Sequence, residues 1–397
     1  MIHTEYNKQV QPVQESYIDS KGKKKKQWVG TRADKHTRYF HFELHKGDIS
    51  LAEKERWSID LLKMALSRAE RPVLSCSFGI DSIVQLHLAR RALVELGRDP
   101  SELAVIWNNT LNEFQEVRVY AKQMTEEWNL NLIETKPKKP LLKIINDNGG
   151  IDSSYFTARK GARGDGQPLS EKCCNTLKHE PMNRASRLHQ WDLIIAGLRG
   201  DESSQRKIAG LRDGEYFYSV SMWKSMMCRP ILWWKEADIW NYVEQENIPY
   251  NGLYDKNMIK VYPSNTPHLV ESNKDILESY GIDVAALKEQ QITTVSRKQS
   301  ALLKDIGFKV FTPRTGCQMC PIPVKYGYLQ WMRTYYPKVY DAMVHKLGYG
   351  KALLDMIPQE VKDELKELAG IDVTAENAHE HLKEILQAKP CVFDAFE

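Results

Sequence analysis

Long hydrophobic runs are missing from this 397-residue sequence, and no stretch approaches the roughly 20 apolar residues that a membrane-spanning helix needs. The polar residues 1–15 lack the apolar stretch of a secretory signal peptide. The seven cysteines are an odd number in a long, lysine-rich chain, which does not suit a secreted disulfide scaffold. Disordered and collagen-like classes are excluded, because 42% of the residues are hydrophobic. We therefore expect a soluble, cytoplasmic protein without membrane contact, in a reducing compartment.

Charge is distributed unevenly along the chain. The lysine run at residues 21–26 is followed, up to residue 46, by further basic side chains interleaved with aromatic ones. Residues 351–397 carry eleven acidic against five basic side chains, a charge of −6, so the rest of the chain carries +10. The basic arm has two interpretations, a solvated charge run or a surface that contacts nucleic-acid phosphates through residues 21–46.

Strand-like apolar segments alternate with amphipathic helix-like segments between about residues 55 and 220. The pattern predicts strands at 73–77, 103–107, 130–134 and 192–198, and helices at 81–96, 114–128 and 235–246. Such alternation indicates an α/β fold with a doubly wound, mostly parallel sheet. We predict four regions: a basic N-terminal arm (1–50), an α/β domain (51–254), an insertion (255–312), and a segment with a C-x-x-C pair and a helical, acidic C-terminal region (313–397). We also expect a homo-oligomer.

Residues 75–82 (SCSFGIDS) join the first predicted strand to the first predicted helix. Such a turn directs unpaired backbone N–H groups and the helix dipole to one spot, where Gly79 permits close approach and serine hydroxyls add donors. Phosphate or sulfate is the expected ligand, although many turns of this kind are plain helix caps. The loop is not a Walker A motif, because the G-x-x-x-x-G-K-[ST] spacing is absent.

A second anion cluster follows the predicted strand 192–198, with Arg199, Arg206 and Lys207 close together. Ligands of open α/β sheets bind at the carboxyl ends of strands, so the two loops are expected to converge on one nucleotide. Arginine forks match phosphate or sulfate oxygens in pairs. The alternative is a solvated turn with local salt bridges.

Two close cysteine pairs offer four soft metal ligands, Cys173 with Cys174 and Cys317 with Cys320. Four thiolates suit zinc or an iron–sulfur cluster. Adjacent cysteines are awkward for one tetrahedral ion but serve separate corners of a cubane cluster. The alternative is four unrelated buried thiols, and Cys76 and Cys228 are predicted to be small core residues.

The anion loops resemble those of a known family. Residues 77–82 resemble the S-G-G-x-D-S PP-loop of the adenine nucleotide alpha-hydrolase superfamily, and residues 75–88 are similar to the loop and helix of phosphoadenosine phosphosulfate (PAPS) reductases. Residues 197–206 (GLRGDESSQR) resemble the G-x-R-x-x-x-S-x-x-R segment that holds the phosphosulfate of sulfonucleotide reductases. Asn109 and Thr110 resemble the start of that family's D-T-x-x-x-F-x-E-T turn, with Asn in place of Asp. The resemblance implies that the nucleotide is bound by Ser75, Ser77, Phe78, Gly79, Asp81, Ser82, Thr110, Gly197, Arg199 and Asp201.

Residues 171–182 resemble the C-C-x-x-x-K-x-x-P-[LM] segment of iron–sulfur adenosine phosphosulfate (APS) reductases, whose partner is a later C-x-x-C. The resemblance implies a 4Fe-4S cluster on Cys173, Cys174, Cys317 and Cys320, with zinc as the lesser alternative. It places Lys178 beside the cluster and the substrate sulfate, and it gives Lys178, Arg199 and Arg206 catalytic roles. Cys391 stands where these reductases carry a mobile nucleophilic cysteine, but the family's E-C-G-x-H context is missing and an acidic tail raises a thiol pKa.

The resemblance leads to three functional interpretations. The principal one is a sulfonucleotide reductase that acts on an adenylyl sulfate, PAPS or APS, with a 4Fe-4S cluster and a thioredoxin-type donor. The alternative is an ATP-pyrophosphatase-type sulfurtransferase that modifies DNA or RNA, since ATP-cleaving PP-loop enzymes retain the Asp-Ser pair present here as Asp81 and Ser82. The third is a non-enzymatic regulator that binds a nucleotide without turnover.

Overall fold

The computed structural model describes residues 12–47, 49–153, 169–220 and 223–381. The chain divides into two compact units, each built from several segments. Unit 1 comprises Met1–Asn109, Gln115–Lys136 and Glu180–Asn251, and unit 2 comprises Thr110–Phe114, Pro137–His179 and Gly252–Glu397. Among the described helices, none combines the length and apolar character needed to cross a membrane.

A six-stranded sheet forms the centre of unit 1. Its strands are β3 (Pro72–Ser75), β4 (Ala104–Asn108), β5 (Asn131–Thr135), β6 (Leu193–Ala196), β7 (Tyr216–Ser219) and β8 (Ser225–Cys228). They lie in the order β5-β4-β3-β6-β8-β7. All neighbouring strands run parallel except the edge pair β7 and β8, which is antiparallel. The predicted mostly parallel α/β sheet is confirmed.

The helices of unit 1 cover the sheet with apolar faces because their buried positions recur at helical spacing. They are α1 (Lys35–Lys46), α2 (Leu51–Arg68), α3 (Ile80–Glu95), α4 (Gln115–Glu127), α7 (Glu180–His189), α8 (Ser204–Asp213) and α9 (Glu236–Gln245). Helix α2 begins with a capping box in which Ser50 and Glu53 satisfy each other's backbone N–H groups. Cys76 and Cys228 are buried in this core, as predicted.

The described part of the N-terminal arm forms an antiparallel hairpin of β1 (Val13–Ile18) and β2 (Lys24–Val29), followed by α1. Almost every side chain of the hairpin is exposed. The hairpin is joined to edge strand β7 through a bridge between Arg32 and Phe217 and through the Trp28 ring, which lies 5.2 Å from that of Tyr218. The arm therefore belongs to unit 1 and adds a ribbon beside its edge strand.

Unit 2 contains a three-stranded antiparallel sheet in the order β10-β9-β11, formed by β9 (Asn257–Val261), β10 (Thr294–Val295) and β11 (Lys309–Phe311). Its own hydrophobic core includes Ile259, Val270, Leu277, Leu303 and Phe308. The helices of this unit are α5 (Leu141–Asp147), α6 (Leu169–Cys174), α10 (Thr266–Ser272), α11 (Lys274–Ser279), α12 (Val284–Lys288), α13 (Arg297–Ile306), α14 (Tyr328–Tyr335), α15 (Pro337–Asp341), α16 (Tyr349–Met356) and α17 (Gln359–Ala369). The predicted helical C-terminal region is confirmed for the described residues.

Candidate nucleotide and thiol sites

The turn between β3 and α3 is the candidate anion-binding loop. Gly79 is the N-cap of α3, and no side chain caps that helix end. The turn therefore lies at the positive end of the dipole of a 16-residue helix, where an anion is stabilised. The Cys76 N–H donates to Ile106 O at 2.9 Å, which ties the loop to the neighbouring strand.

The buried side chain of Phe78 fixes this loop to the core of unit 1. Its backbone φ is +55°, a left-handed conformation that a non-glycine residue rarely adopts, and its side chain is fully buried. The ring packs edge-on against Trp107 at 5.5 Å and Tyr120 at 6.4 Å. The predicted nucleotide contact of Phe78 is thus restricted to its backbone.

Ser82 organises the same turn through its hydroxyl. The Ser82 Oγ donates to Gly79 O at 2.8 Å and accepts from the Ser77 N–H at 3.2 Å. The Ser77 Oγ lies 3.3 Å from that hydroxyl, so the two predicted serine donors stand side by side. Ser75 is the last residue of β3 and is half-buried.

The second predicted loop lies directly against the first, within unit 1. A Cβ on Gly197 would stand 2.9 Å from Gln85 Oε1 and 3.2 Å from Asp81 O, so only glycine permits this approach. Gln85 is completely buried, and its Nε2 donates to Ile195 O at 3.2 Å. Gln85 therefore links α3 to β6, a role that the sequence pattern did not suggest because glutamine is common on solvated helix faces.

Arg199 lies between two carboxylates. Its Nε donates to Asp81 Oδ1 at 2.7 Å, and its Nη1 donates to Asp201 Oδ2 at 3.4 Å. Asp201 also accepts from the Glu236 N–H at 3.1 Å. The Arg199 side chain is only 7% exposed, whereas that of Asp81 is 20% exposed. Arg206, in the first turn of α8, pairs with Glu202 and is well exposed.

The four predicted cluster cysteines all belong to unit 2. Cys173 and Cys174 end helix α6, and Cys317 and Cys320 lie in the loop that follows β11. Burial raises the pKa of Cys173 to about 12, with further contributions from Cys317, Cys174 and Cys320. The two pairs are therefore close enough to interact electrostatically, although 143 positions separate Cys174 from Cys317 in the chain.

The short segment Thr110–Phe114 holds the C-x-x-C loop. The Thr110 hydroxyl donates to Glu113 Oε1 at 2.6 Å and lies 3.4 Å from Cys317 Sγ. The Gln318 N–H donates to Asn112 O at 2.7 Å, and the Tyr328 hydroxyl donates to Gln318 O at 2.6 Å. Thr110, predicted as a nucleotide contact, thus lies beside a cysteine. Tyr328 was not predicted, because one tyrosine after a C-x-x-C carries no distinguishing pattern.

Lys178 follows the cysteine pair in a π-helical turn (Asn175–His179). Burial lowers the pKa of its ammonium group, but negative charge on Cys317, Cys174, Cys320 and Glu113 outweighs burial and raises the pKa. The Lys178 ammonium group therefore places a positive charge near the thiols.

The four thiols are the candidate ligands of a metal ion or cluster. Among the described residues, no group of three or more His, Cys, Asp or Glu side chains is arranged to hold a single metal ion. A tetrahedral zinc site needs each thiolate about 2.3 Å from one centre, whereas a four-iron cluster takes each thiolate on a different corner. Cys391 lies outside the described residues.

Three comparisons with known proteins bear on these sites. A family model described as "Phosphoadenosine phosphosulfate reductase domain" matches residues 71–323. A relative named sulfate adenylyltransferase subunit 2, from Methylorubrum extorquens, is 30% identical over 222 residues, which cover 51% of this chain and 65% of that protein. The chain therefore spans somewhat less than two thirds of that relative's length.

Two solved structures can be superposed on part of this chain. A PAPS reductase from Candida auris in complex with phosphate is 19% identical, with a TM-score of 0.37 over 53% of this chain and 94% of that one. A U34-tRNA thiolase from Methanococcus maripaludis with its [4Fe-4S] cluster is 16% identical, with a TM-score of 0.34 over 62% of this chain and 78% of that one.

Proposed function

This chain belongs to the phosphoadenosine phosphosulfate reductase domain family, and from that membership we propose that unit 1 binds the phosphates of ATP and cleaves ATP between its α and β phosphates. The family accounts for both anion loops, because residues 75–82 and 197–206 fall within the matched segment. We propose ATP as the substrate, and not an adenylyl sulfate, because of the charged side chains beside Arg199.

The Asp81–Arg199 ion pair carries this proposal. One buried guanidinium faces two carboxylates, Asp81 and Asp201, so these three groups have a net negative charge. A phosphosulfate is itself strongly anionic, and the two carboxylates would repel it. ATP is bound as its magnesium complex, and Mg²⁺ takes carboxylate oxygens together with phosphate oxygens. An acidic residue at position 81 therefore suits MgATP better than a bare phosphosulfate.

The residues of the loop would act mainly by binding the phosphates of ATP and orienting them. The N–H groups at the start of α3 and the hydroxyls of Ser77 and Ser82 would hold the departing pyrophosphate. An oxygen nucleophile of the acceptor attacks the α-phosphorus, a new P–O bond forms, and the bond to the bridging oxygen breaks with its electron pair leaving on pyrophosphate. The acceptor becomes adenylylated, which makes its oxygen a good leaving group.

Relatives named sulfate adenylyltransferase subunit 2 support an adenylyl-transfer reaction and the presence of a second chain. We propose on this ground that the protein works with a partner subunit. Because the chain spans 65% of that relative's length, the acceptor need not be the one named there.

The thiol set of unit 2 supports a cysteine-bound 4Fe-4S cluster as cofactor. Four thiols interact electrostatically, and the adjacent pair Cys173 and Cys174 is awkward for one tetrahedral zinc ion but can serve separate corners of a cluster. Cys173, Cys174, Cys317 and Cys320 would hold the cluster, and Lys178 would offset its negative charge. When bound, the cluster would supply an iron site or a polarising charge for sulfur chemistry.

The test is turnover by anaerobically purified protein. With MgATP, and with sulfate, DNA and RNA offered separately as acceptors, we expect pyrophosphate release that falls at least about 100-fold in Asp81→Asn. Asp60→Asn is the matched control, since Asp60 also pairs with an arginine but on an exposed helix face. ATP binding with no pyrophosphate release for any acceptor would instead identify a nucleotide-binding regulator.

A second candidate is reduction of APS or PAPS, favoured by the Cys173–Cys174 pair with Lys178. In that reaction a thiolate attacks sulfur, the S–O bond breaks, the nucleotide leaves, and a thioredoxin-type donor frees sulfite. Sulfite formation from APS or PAPS, without pyrophosphate release from ATP, would replace the first proposal by this one.

A further inference from the structure

The hairpin β1–β2 contributes almost nothing to the core of unit 1. All six side chains of β1 are exposed, and so are the first five of β2. Lysine is a poor strand former, and a two-stranded ribbon that buries no apolar face gains little stability of its own. The lysine-rich sequence is therefore better explained by binding of a partner to the ribbon than by a contribution of the ribbon to the stability of the fold.

The ribbon carries an excess of positive charge on both faces. Residues 13–29 include five lysines against two acidic residues. The strand register places Lys24 and Lys26 on the face of Trp28, and Lys25 on the opposite face. Asp19 is occupied within the turn, where it accepts from the Lys21 and Lys23 N–H groups and pairs with Lys25. Among the described residues, no carboxylate pairs with Lys23, Lys24 or Lys26.

Basic and aromatic side chains continue from the ribbon onto α1. Tyr39 and Phe40 are 41% and 51% exposed, and the Lys35 ammonium lies over the Tyr39 ring at 5.4 Å. Helix α1 packs beside α8, where Lys207 lies over the Phe42 ring at 5.1 Å. Helix α8 starts directly after the Arg199 loop, so the basic surface reaches the candidate nucleotide site within unit 1.

From this arrangement we infer that the hairpin β1–β2 and helix α1 form a docking surface for the sugar–phosphate backbone of a nucleic acid. A two-stranded ribbon fits the major groove of a duplex, and exposed aromatic rings give unpaired bases a stacking surface. An anionic membrane suits the surface less well, because neither ribbon face is apolar. The inference goes beyond the proposed reaction and does not require that ATP is the substrate.

The experiment measures binding without nucleotide. Fluorescence anisotropy follows the full chain with a 30-base-pair DNA duplex and with an RNA hairpin, at a series of salt concentrations. For at least one polymer, the triple variant K23Q/K24Q/K26Q should bind about tenfold or more weakly, and the slope of log K against log salt should be shallower by about 2 to 3. The control K122Q/K346Q/K351Q removes the same charge from exposed positions elsewhere and should bind like the wild type.

Three outcomes would overturn the inference. They are no binding of either polymer, equal binding by the wild type and the ribbon variant, or stronger ribbon-dependent binding to phosphatidylserine vesicles than to either polymer. The thermal midpoint of the ribbon variant should equal that of the wild type, because the substituted side chains are exposed. The DNA and RNA arms identify which polymer is preferred, and failure of ATP turnover leaves this result unaffected.

Discussion

In the proposed function, Arg199 is the residue that would distinguish MgATP from an adenylyl sulfate. Asp81 and Asp201 engage it from two directions, so part of its hydrogen-bonding capacity is already used within the protein. A sequence pattern alone shows that the arginine is present. It does not show which acids face its guanidinium, because residues 81 and 199 are brought together only by the adjacent strands β3 and β6.

Asp81→Asn should therefore change the nucleotide preference and not merely weaken binding. Removing one carboxylate makes the group of Asp81, Arg199 and Asp201 neutral instead of negative, so the affinity for APS or PAPS should rise about tenfold while that for MgATP falls by a similar factor. Isothermal titration with each nucleotide measures both changes. A parallel loss of all three affinities would show that Asp81 only maintains the loop.

Gly197→Ala should weaken nucleotide binding by about tenfold or more, because its Cβ would meet Gln85 Oε1 at 2.9 Å and the Asp81 backbone at 3.2 Å. The added methyl group pushes the second loop away from α3. Titration with ATP measures the effect, and Gly252→Ala is the control, since a Cβ there has open space. Unchanged affinity in Gly197→Ala would mean that the two loops do not act on one ligand.

At the scale of elements, the strands and helices near the phosphate loop were predictable to within two residues at most ends. The predicted helix 81–96 corresponds to Ile80–Glu95, and the predicted strand 103–107 to Ala104–Asn108. Buried elements have a clear hydrophobic period, since one face packs on the core. The hairpin β1–β2 has none, as its side chains are exposed. The insertion was indistinct because its elements are short, including β10 with two residues.

Part of the candidate site was also predictable, because some of its residues form a recognisable local pattern in the sequence. Glycines and serines at a strand end are a sequence pattern typical of an anion-binding loop, and residues 75–82 have this pattern. The left-handed backbone of Phe78 and the buried amide of Gln85 leave no such mark, because each depends on neighbours from other segments. The same holds for the hydrogen bonds that join Thr110–Phe114 to the C-x-x-C loop.

The segment around His379 should lose protection as the pH falls. Burial lowers the pKa of His379 from 6.5 to about 4, and the nearby Arg333 adds to this shift. The folded state thus favours neutral His379, so its stabilisation is complete above pH 6.5 and is lost as the pH falls from 6.5 to 4. Hydrogen exchange should show protection factors of residues 374–381 about tenfold lower at pH 5 than at pH 7.

His379→Gln supplies the control for this pH effect. The variant loses the titrating group, so the protection factors of the same amides should depend much less on pH, whatever their absolute level. An equally steep pH dependence in the variant would assign the effect to another group.

At the scale of the whole molecule, the two candidate chemistries belong to different units. The anion loops lie in unit 1, whereas the four thiols lie in unit 2. The charge of the chain is divided as well, with −6 on residues 351–397 and +10 on the remainder. Each chemistry should therefore respond to its own substitutions.

Cys173→Ser and Cys317→Ser should remove most of the iron and sulfide from anaerobically purified protein and leave ATP affinity within about twofold of the wild type. Asp81→Asn should do the reverse, with full iron content and altered nucleotide binding. Iron and sulfide analysis together with ATP titration measures both. Stoichiometric zinc in a colourless wild-type protein would contradict the cluster assignment.

The interleaving of the two units sets an order of events during synthesis. Unit 1 is complete once Asn251 has left the ribosome, but Thr110–Phe114 and Pro137–His179 belong to a unit whose largest segment begins at Gly252. Cys173 and Cys174 therefore emerge long before Cys317 and Cys320, and must stay reduced without their partners while the intervening chain is made. Assembly of the proposed cluster would then be a late step of biogenesis, and nascent chains would be most vulnerable to oxidants in the interval before it.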